Sequence, residues 1–228
     1  MLESGAIVVG TDTGIGKTFV TAALLLALRT RGADALPMKP VQTGAENNRA
    51  PDIDFCLRMA DIECDDALYN TLAPYRFPLP ASPHFAAQCA KTTIDPRRIL
   101  DAFYTLRAAG HTPIIEAAGG ILVPLTDSLL QIDLLRELNL PFLLVARPSL
   151  GTLNHTLLTI EALQNRKAEI CAVALNCLTP DITEIEEDNL NALKKWHPGL
   201  SISFFPHLNE VTAGTLTAAG TNFLSSVF

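Results

Sequence analysis

Gly10-Thr-Asp-Thr-Gly-Ile-Gly-Lys-Thr18 lies between a short apolar run, Ala6 to Val9, and a long one, Phe19 to Leu28. That order spells a strand, a glycine-rich turn and a helix. Such a turn aims successive backbone N–H groups at the positive end of the helix, where a polyphosphate is most easily held. Lys17 adds a full charge for the β- and γ-phosphates, and the Thr18 hydroxyl is placed to ligate the accompanying Mg²⁺. The spacing departs from the common phosphate loop G-x-x-x-x-G-K-[ST], because Thr11 holds the first fixed position and Gly10 comes one residue early. A looser, longer variant is expected. A glycine-rich turn that binds nothing would leave Lys17 unexplained, since a lysine at a buried helix start needs an anion.

Downstream, strands and helices alternate. The first helix runs from Lys17 to about Arg31 and ends at Gly32, and Ala35 to Met38 forms a strand. Lys39 then falls at a strand's C-terminal edge, where open α/β sheets bind ligands. Val41-Gln-Thr-Gly44 reads as a turn in which Thr43 offers its hydroxyl to whatever Lys39 approaches. Asp52 opens a helix through Ala60, either as a cap or as a carboxylate near Mg²⁺, and Asp54 is close enough to share that role. Ser82 and Pro83 start a further helix, with His84 at the surface or beside the site.

A helix from Pro96 to Ala109 feeds the strand Thr112 to Ile115, which delivers Glu116 to the same edge. There it either orients Mg²⁺ or pairs with a lysine as a buried acid. Helix Leu129 to Leu138 and strand Leu140 to Ala146 follow, and Leu150-Gly-Thr-Leu-Asn154 opens a helix whose free N–H groups suit a carboxylate. The strand Ile170 to Leu175 ends at Asn176, which can read an adenine edge or simply turn the chain. Helix Asp188 to Trp196, strand Ser201 to Phe204 and a short terminal helix complete the reading. The expected fold is a doubly wound, mainly parallel sheet of the P-loop NTPase type, in one domain over residues 1–228.

Of the 228 residues, 48% are apolar, enough for a sizeable core, and the net charge of −7 offers neither nucleic acid nor an anionic membrane a basic face. The five cysteines are odd in number and show no C-x-x-C spacing, which suits a reducing cytoplasm rather than a disulfide framework. No uninterrupted apolar run approaches the ~18 residues of a membrane span. A soluble cytoplasmic protein is expected.

Taken together, Gly10-Thr-Asp-Thr-x-x-Gly-Lys-Thr18, Met38-Lys-Pro-Val-x-Thr-Gly44, Glu116-x-Ala-Gly-Gly120 and Leu150-Gly-x-x-Asn-His155 make the chain resemble the dethiobiotin synthetase family along nearly its whole length. The resemblance implies carboxylation of 7,8-diaminononanoate by CO2 or bicarbonate, phosphorylation of the carbamate by ATP, and closure of a ureido ring with release of ADP and phosphate. Carried onto this sequence, it implies that Thr13, Gly14, Ile15, Gly16, Lys17, Thr18 and Phe19 hold ATP, with Ala117, Ala118 and Gly119 alongside. It places Thr18, Asp52 and Glu116 around Mg²⁺, and Asn176, Cys177, Pro206, His207 and Leu208 about adenine. Lys17 and Lys39 would be catalytic, while Thr13 and Thr43 would meet the substrate. Gly151, Thr152, Leu153 and Asn154 would take its carboxylate from a second subunit, which makes a homodimer part of the implication.

Two departures stand out. Ala117 occupies a position where the family usually has glycine, at a cost of ~1 kcal/mol or more if φ must be positive. No tyrosine lies between Asp181 and Trp196 to reach the substrate carboxylate. A partitioning or switch ATPase shares the expected sheet but usually carries a signature lysine early in the loop, where this chain has Thr11, Asp12 and Thr13. A GTPase would show Asn-Lys-x-Asp, which Asn176-Cys-Leu-Thr179 lacks, and an amidotransferase-type ligase would need a glutaminase domain for which no chain remains.

Overall fold

The structure, a computed structural model, describes residues 2–228. Ala6–Gly10 (β1) is buried throughout and stands inside a six-stranded parallel sheet. Its neighbours are Thr112–Gly120 (β5) on one side and Phe142–Ala146 (β6) on the other. Ala35–Met38 (β2) closes the β5 edge, while Ile170–Asn176 (β7) and Ile202–Phe205 (β8) extend the other, giving the order β2-β5-β1-β6-β7-β8. The chain therefore departs from β1 at the point where strand order reverses, and a crevice opens there above the strand ends.

Strand alternation sorts the core into two layers. Ala6 and Val8 of β1 face the helix Lys17–Thr30 (α1) and the C-terminal helix Ala213–Val227 (α9). Ile7 and Val9 face the opposite layer, where Ile99 and Phe103 of Pro96–Ala108 (α5), Ile132 of Gln131–Arg136 (α6), Leu163 of Thr152–Asn165 (α7) and Leu193 of Glu184–Trp196 (α8) pack. Capping boxes at Thr183 and Thr212 start α8 and α9. Helices α1 and α9 approach so closely that a Cβ on Gly220 would lie 2.1 Å from the Ala23 carbonyl oxygen.

Several elements differ from the sequence reading. Val41–Thr43 is not a turn but a short strand (β3), paired in parallel with Tyr75–Phe77 (β4) in a separate ribbon. Before β4 lies a helix the sequence did not announce, Asp66–Leu72 (α3), capped by the Asp65 side chain on the Leu68 N–H. β5 continues well past Ile115, because Glu116 and Ala117 stay extended against β1, with Val8 opposite Glu116. Helix α8 begins at Glu184 rather than Asp188, since Thr183 supplies the cap. The final helix has 15 residues and is not short. Its hydroxyl-rich sequence hides a buried stripe of Leu216, Ala219, Phe223 and Leu224. Among the described residues, no helix is long and apolar enough to cross a membrane.

Candidate active site

The loop after β1 has close approaches at two of its glycines. A Cβ on Gly10 would sit 2.5 Å from Ile15 Cδ1. Gly16 has φ +91° and presents its open face to Asn176, whose Nδ2 would lie 2.1 Å from a Cβ there. Asn176 donates from that amide to the Ile15 carbonyl at 2.8 Å, so it braces the loop from the end of β7. Lys17 turns back to donate to the Asp12 carbonyl at 2.7 Å. Burial, followed by the charge of Lys39, lowers its pKa to about 8.

Beneath the loop lies a cluster of charges. Lys39 Nζ is 2.7 Å from Asp52 Oδ2 and 2.7 Å from Glu116 Oε1, and it also donates to the Ala117 carbonyl at 3.3 Å. The Thr18 hydroxyl is 3.1 Å from Asp52 Oδ1 and equally 3.1 Å from Glu116 Oε1. A hydroxyl has one proton, so it can donate to only one of these oxygens at a time. Glu116 Oε2, buried, has no partner among the described residues. Burial pushes the Glu116 carboxyl up, with Asp52 adding to this and Lys39 opposing it. For Lys39, burial works to lower the pKa, but Glu116 and Asp52 outweigh it and keep the ammonium charged. Asp52 is likewise held below its ordinary value, because Lys39 overcomes the cost of burial.

Oxygens outnumber donors here, and a hard divalent cation relieves that imbalance. Among the described residues, no group of three or more His, Cys, Asp or Glu side chains could form an all-protein metal site. The donor set of two carboxylates and a hydroxyl fits a cation such as Mg²⁺, which completes its shell with phosphates and water. Of the two candidate aspartates, both in the helix Pro51–Ala60 (α2), Asp52 joins this cluster. Asp54 instead pairs with Arg49 at 2.6 Å and accepts from the Tyr69 hydroxyl at 2.8 Å.

A cleft of about 690 Å³ opens over the cluster. Thr13, Gly14, Gly16, Lys17, Thr18 and Phe19 form its loop side, and Lys39, Thr43, Asp52, Glu116, Ala118 and Gly119 also line it. Ala117 does not line it, because its side chain points into the core on the other face. Its φ is not positive, so alanine at this position carries none of the anticipated strain. The left-handed residue is Gly119, with φ +62°. Gln131 clamps this segment, accepting from the Ala118 N–H at 2.7 Å and donating to the Ala118 and Gly120 carbonyls.

A second pocket of about 190 Å³ joins Phe19, Asn176, Cys177, Pro206, His207 and Leu208. Gly151 and Thr152 do not reach the main cleft. They line a pocket of about 80 Å³ on the other flank of the loop, with Asp12 and Arg147. Leu153 packs partly against the core and Asn154 is exposed. His84 lies outside the main cleft beside Thr92 and Thr126, its Nδ1 buried without a partner. Ser82 holds the N-cap position of Pro83–Cys89 (α4) without a capping bond and lines the cleft instead. The sequence reading passed over Gln42, which lines the cleft between two residues of a motif it had singled out.

A family model described as an AAA domain matches residues 4–215. The ATP-dependent dethiobiotin synthetase of Halalkalibacterium halodurans is 38% identical over 90% of this chain and 85% of its own length. That of Aromatoleum aromaticum is 41% identical over 87% and 88%. The chain belongs to the ATP-dependent dethiobiotin synthetase family. Family membership agrees with a fold shared more widely. The MinC:MinD cell division protein complex of Aquifex aeolicus includes a chain that superposes with a TM-score of 0.60 at 13% identity, covering 98% of this chain and 93% of that one. A ParA family ATPase from Chlorobium tepidum gives 0.55 at 16%, with 97% and 92% covered. These likenesses show the fold alone, whereas the synthetase relatives extend the match to sequence.

Proposed function

We propose that this chain uses ATP to carboxylate 7,8-diaminononanoate with CO2 and to close the product to dethiobiotin through a phosphorylated carbamate, releasing ADP and phosphate. The observation that carries this reading is the buried Lys39 held between Asp52 and Glu116 beneath a phosphate loop, in a chain of this family. Phosphoryl transfer is mostly positioning and charge neutralisation, and this arrangement supplies both.

In this reading the backbone from Thr13 to Thr18 and the ammonium of Lys17 hold the phosphates. Thr18, Asp52 and Glu116 hold Mg²⁺, which when bound draws charge from the transferring phosphoryl group. Lys39 then gives up a carboxylate contact and turns an N–H toward the carbamate oxygens. Thr43 and Thr13 hydrogen-bond the substrate in the cleft, while Asn176, Cys177 and Pro206 to Leu208 border the base. In the same reading Gly151 to Asn154, of which Gly151 and Thr152 line a separate pocket, serve a partner's substrate carboxylate in a homodimer. The cysteines, all free, suit work in the cytoplasm.

Phosphate release with Mg²⁺-ATP, measured with and without the diamine and bicarbonate, tests the reading. Release that depends on the diamine and yields a cyclic urea by mass supports it. Release indifferent to the diamine would leave only an ATPase.

A further inference from the structure

Gln42 is 6% exposed, lines the cleft, and has not been given a part in the chemistry above. Its Nε2 donates to the Thr43 carbonyl at 2.9 Å. That contact fixes which end of the amide is which, since the opposite orientation would press two carbonyl oxygens together. Oε1 is therefore the free end, and it is buried with no donor. A buried acceptor left unpaired is costly, so a ligand that supplies a donor gains by meeting it.

Neither lysine of the cleft is hydrogen-bonded to it. Lys39 donates to Asp52, Glu116 and the Ala117 carbonyl, and Lys17 donates to the Asp12 carbonyl. Two residues that line this cleft each carry a buried atom without a partner among the described residues, Gln42 Oε1 and Glu116 Oε2, and both atoms are acceptors. At these two atoms, therefore, what is missing is a donor or a cation. A divalent cation answers Glu116, and an amine answers Gln42. The terminal torsion of a glutamine is soft, so a small turn of the amide presents Oε1 to the cleft.

We propose that Gln42 accepts a hydrogen bond from one amine of the substrate and is a residue by which the site recognises that position as an N–H donor. The inference rests on the diamine reading above and adds the group that recognises one nitrogen.

The test compares three ligands by calorimetry in the presence of Mg²⁺ and a non-hydrolysable ATP analogue: the diamine and the two monoamines in which one or the other nitrogen is replaced by hydrogen. In Gln42→Met, the diamine and one monoamine should each lose about ten- to a hundredfold in affinity. The other monoamine should bind as it does to wild type. Equal losses for all three ligands would assign Gln42 to the shape of the cleft, and no loss would leave its oxygen to water. Either result overturns the proposal. If the methionine variant does not fold, Gln42→Leu is read in the same way. Failure of wild type to bind the diamine would instead reject the synthetase reading, and this inference with it.

Discussion

The ammonium of Lys39 and the carboxylate of Glu116 lie 2.7 Å apart, with only 5% and 4% of their side chains exposed. Each therefore stabilises the other as well as serving any reaction. Lys39→Ala should abolish turnover, because a charge facing the transferring group is gone. It should also lower stability by roughly 3 kcal/mol, since it strands the buried Glu116 carboxylate. Thermal melts with and without Mg²⁺ separate the effects: the cation should restore much of the stability and none of the turnover.

The two nearby aspartates should behave differently. Asp52→Asn should weaken the Mg²⁺ dependence of ATP binding, because the oxygens beside Thr18 and Lys39 lose their charge. Asp54→Asn should leave that dependence intact and cost about 1 kcal/mol through its partly exposed contacts with Arg49 and Tyr69. Calorimetric titration of Mg²⁺-ATP into both variants decides it, and equal effects would remove Asp52 from its special place.

Lys17 gives ATP binding a pH dependence of definite sign. In the free protein its pKa is about 8, and phosphates must raise it. Below pH 8 the lysine is already charged and affinity should be flat. Above pH 8 a proton must be taken up on binding, so affinity should fall by about tenfold per pH unit until the bound-state pKa is reached. Proton uptake, measured in buffers of different ionisation enthalpy, should appear at pH 9 and vanish at pH 7.

A shared site predicts complementation. A Lys39→Ala protein and a Gly151→Asp protein should each be nearly inactive alone. Mixed and allowed to exchange subunits, they should regain activity, because a hybrid dimer contains one cleft with both contributions intact. Unchanged activity on mixing, with exchange shown by native mass spectrometry, would place the whole site within one chain.

Gly220→Ala touches no ligand, yet its Cβ would meet the Ala23 carbonyl at 2.1 Å. Backbone cannot yield as a side-chain tip can, so a loss of about 1 to 3 kcal/mol is expected. Chemical denaturation should show that loss, with ATP affinity unchanged in the fraction that remains folded.

The sheet was legible because β1, β6 and β7 are continuous apolar runs, as strands buried on both faces must be. The loop was legible because glycine, lysine and threonine there answer to phosphate chemistry rather than packing. What escaped was set by distant partners. Val41–Thr43 looks like a turn until Tyr75–Phe77 arrives to pair with it. Glu116 reads as a strand end, but hydrogen bonding to β1 carries the strand onward. The choice between Asp52 and Asp54 depended on the Tyr69 hydroxyl, which a separate helix brings to Asp54 beside Arg49. Ala117 looked strained only because its φ could not be read.

Gly10, where the phosphate loop departs, is paired with Gly120 on one side and Val145 on the other. Both partners lie more than a hundred residues away along the chain. Contacts so remote in sequence must offset a long loop closure before they add stability. The loop's geometry therefore depends on the assembled sheet and not on its own sequence alone. A half-folded molecule has no cradle for a nucleotide, so ATP selects finished molecules and adds its binding energy to the native state alone.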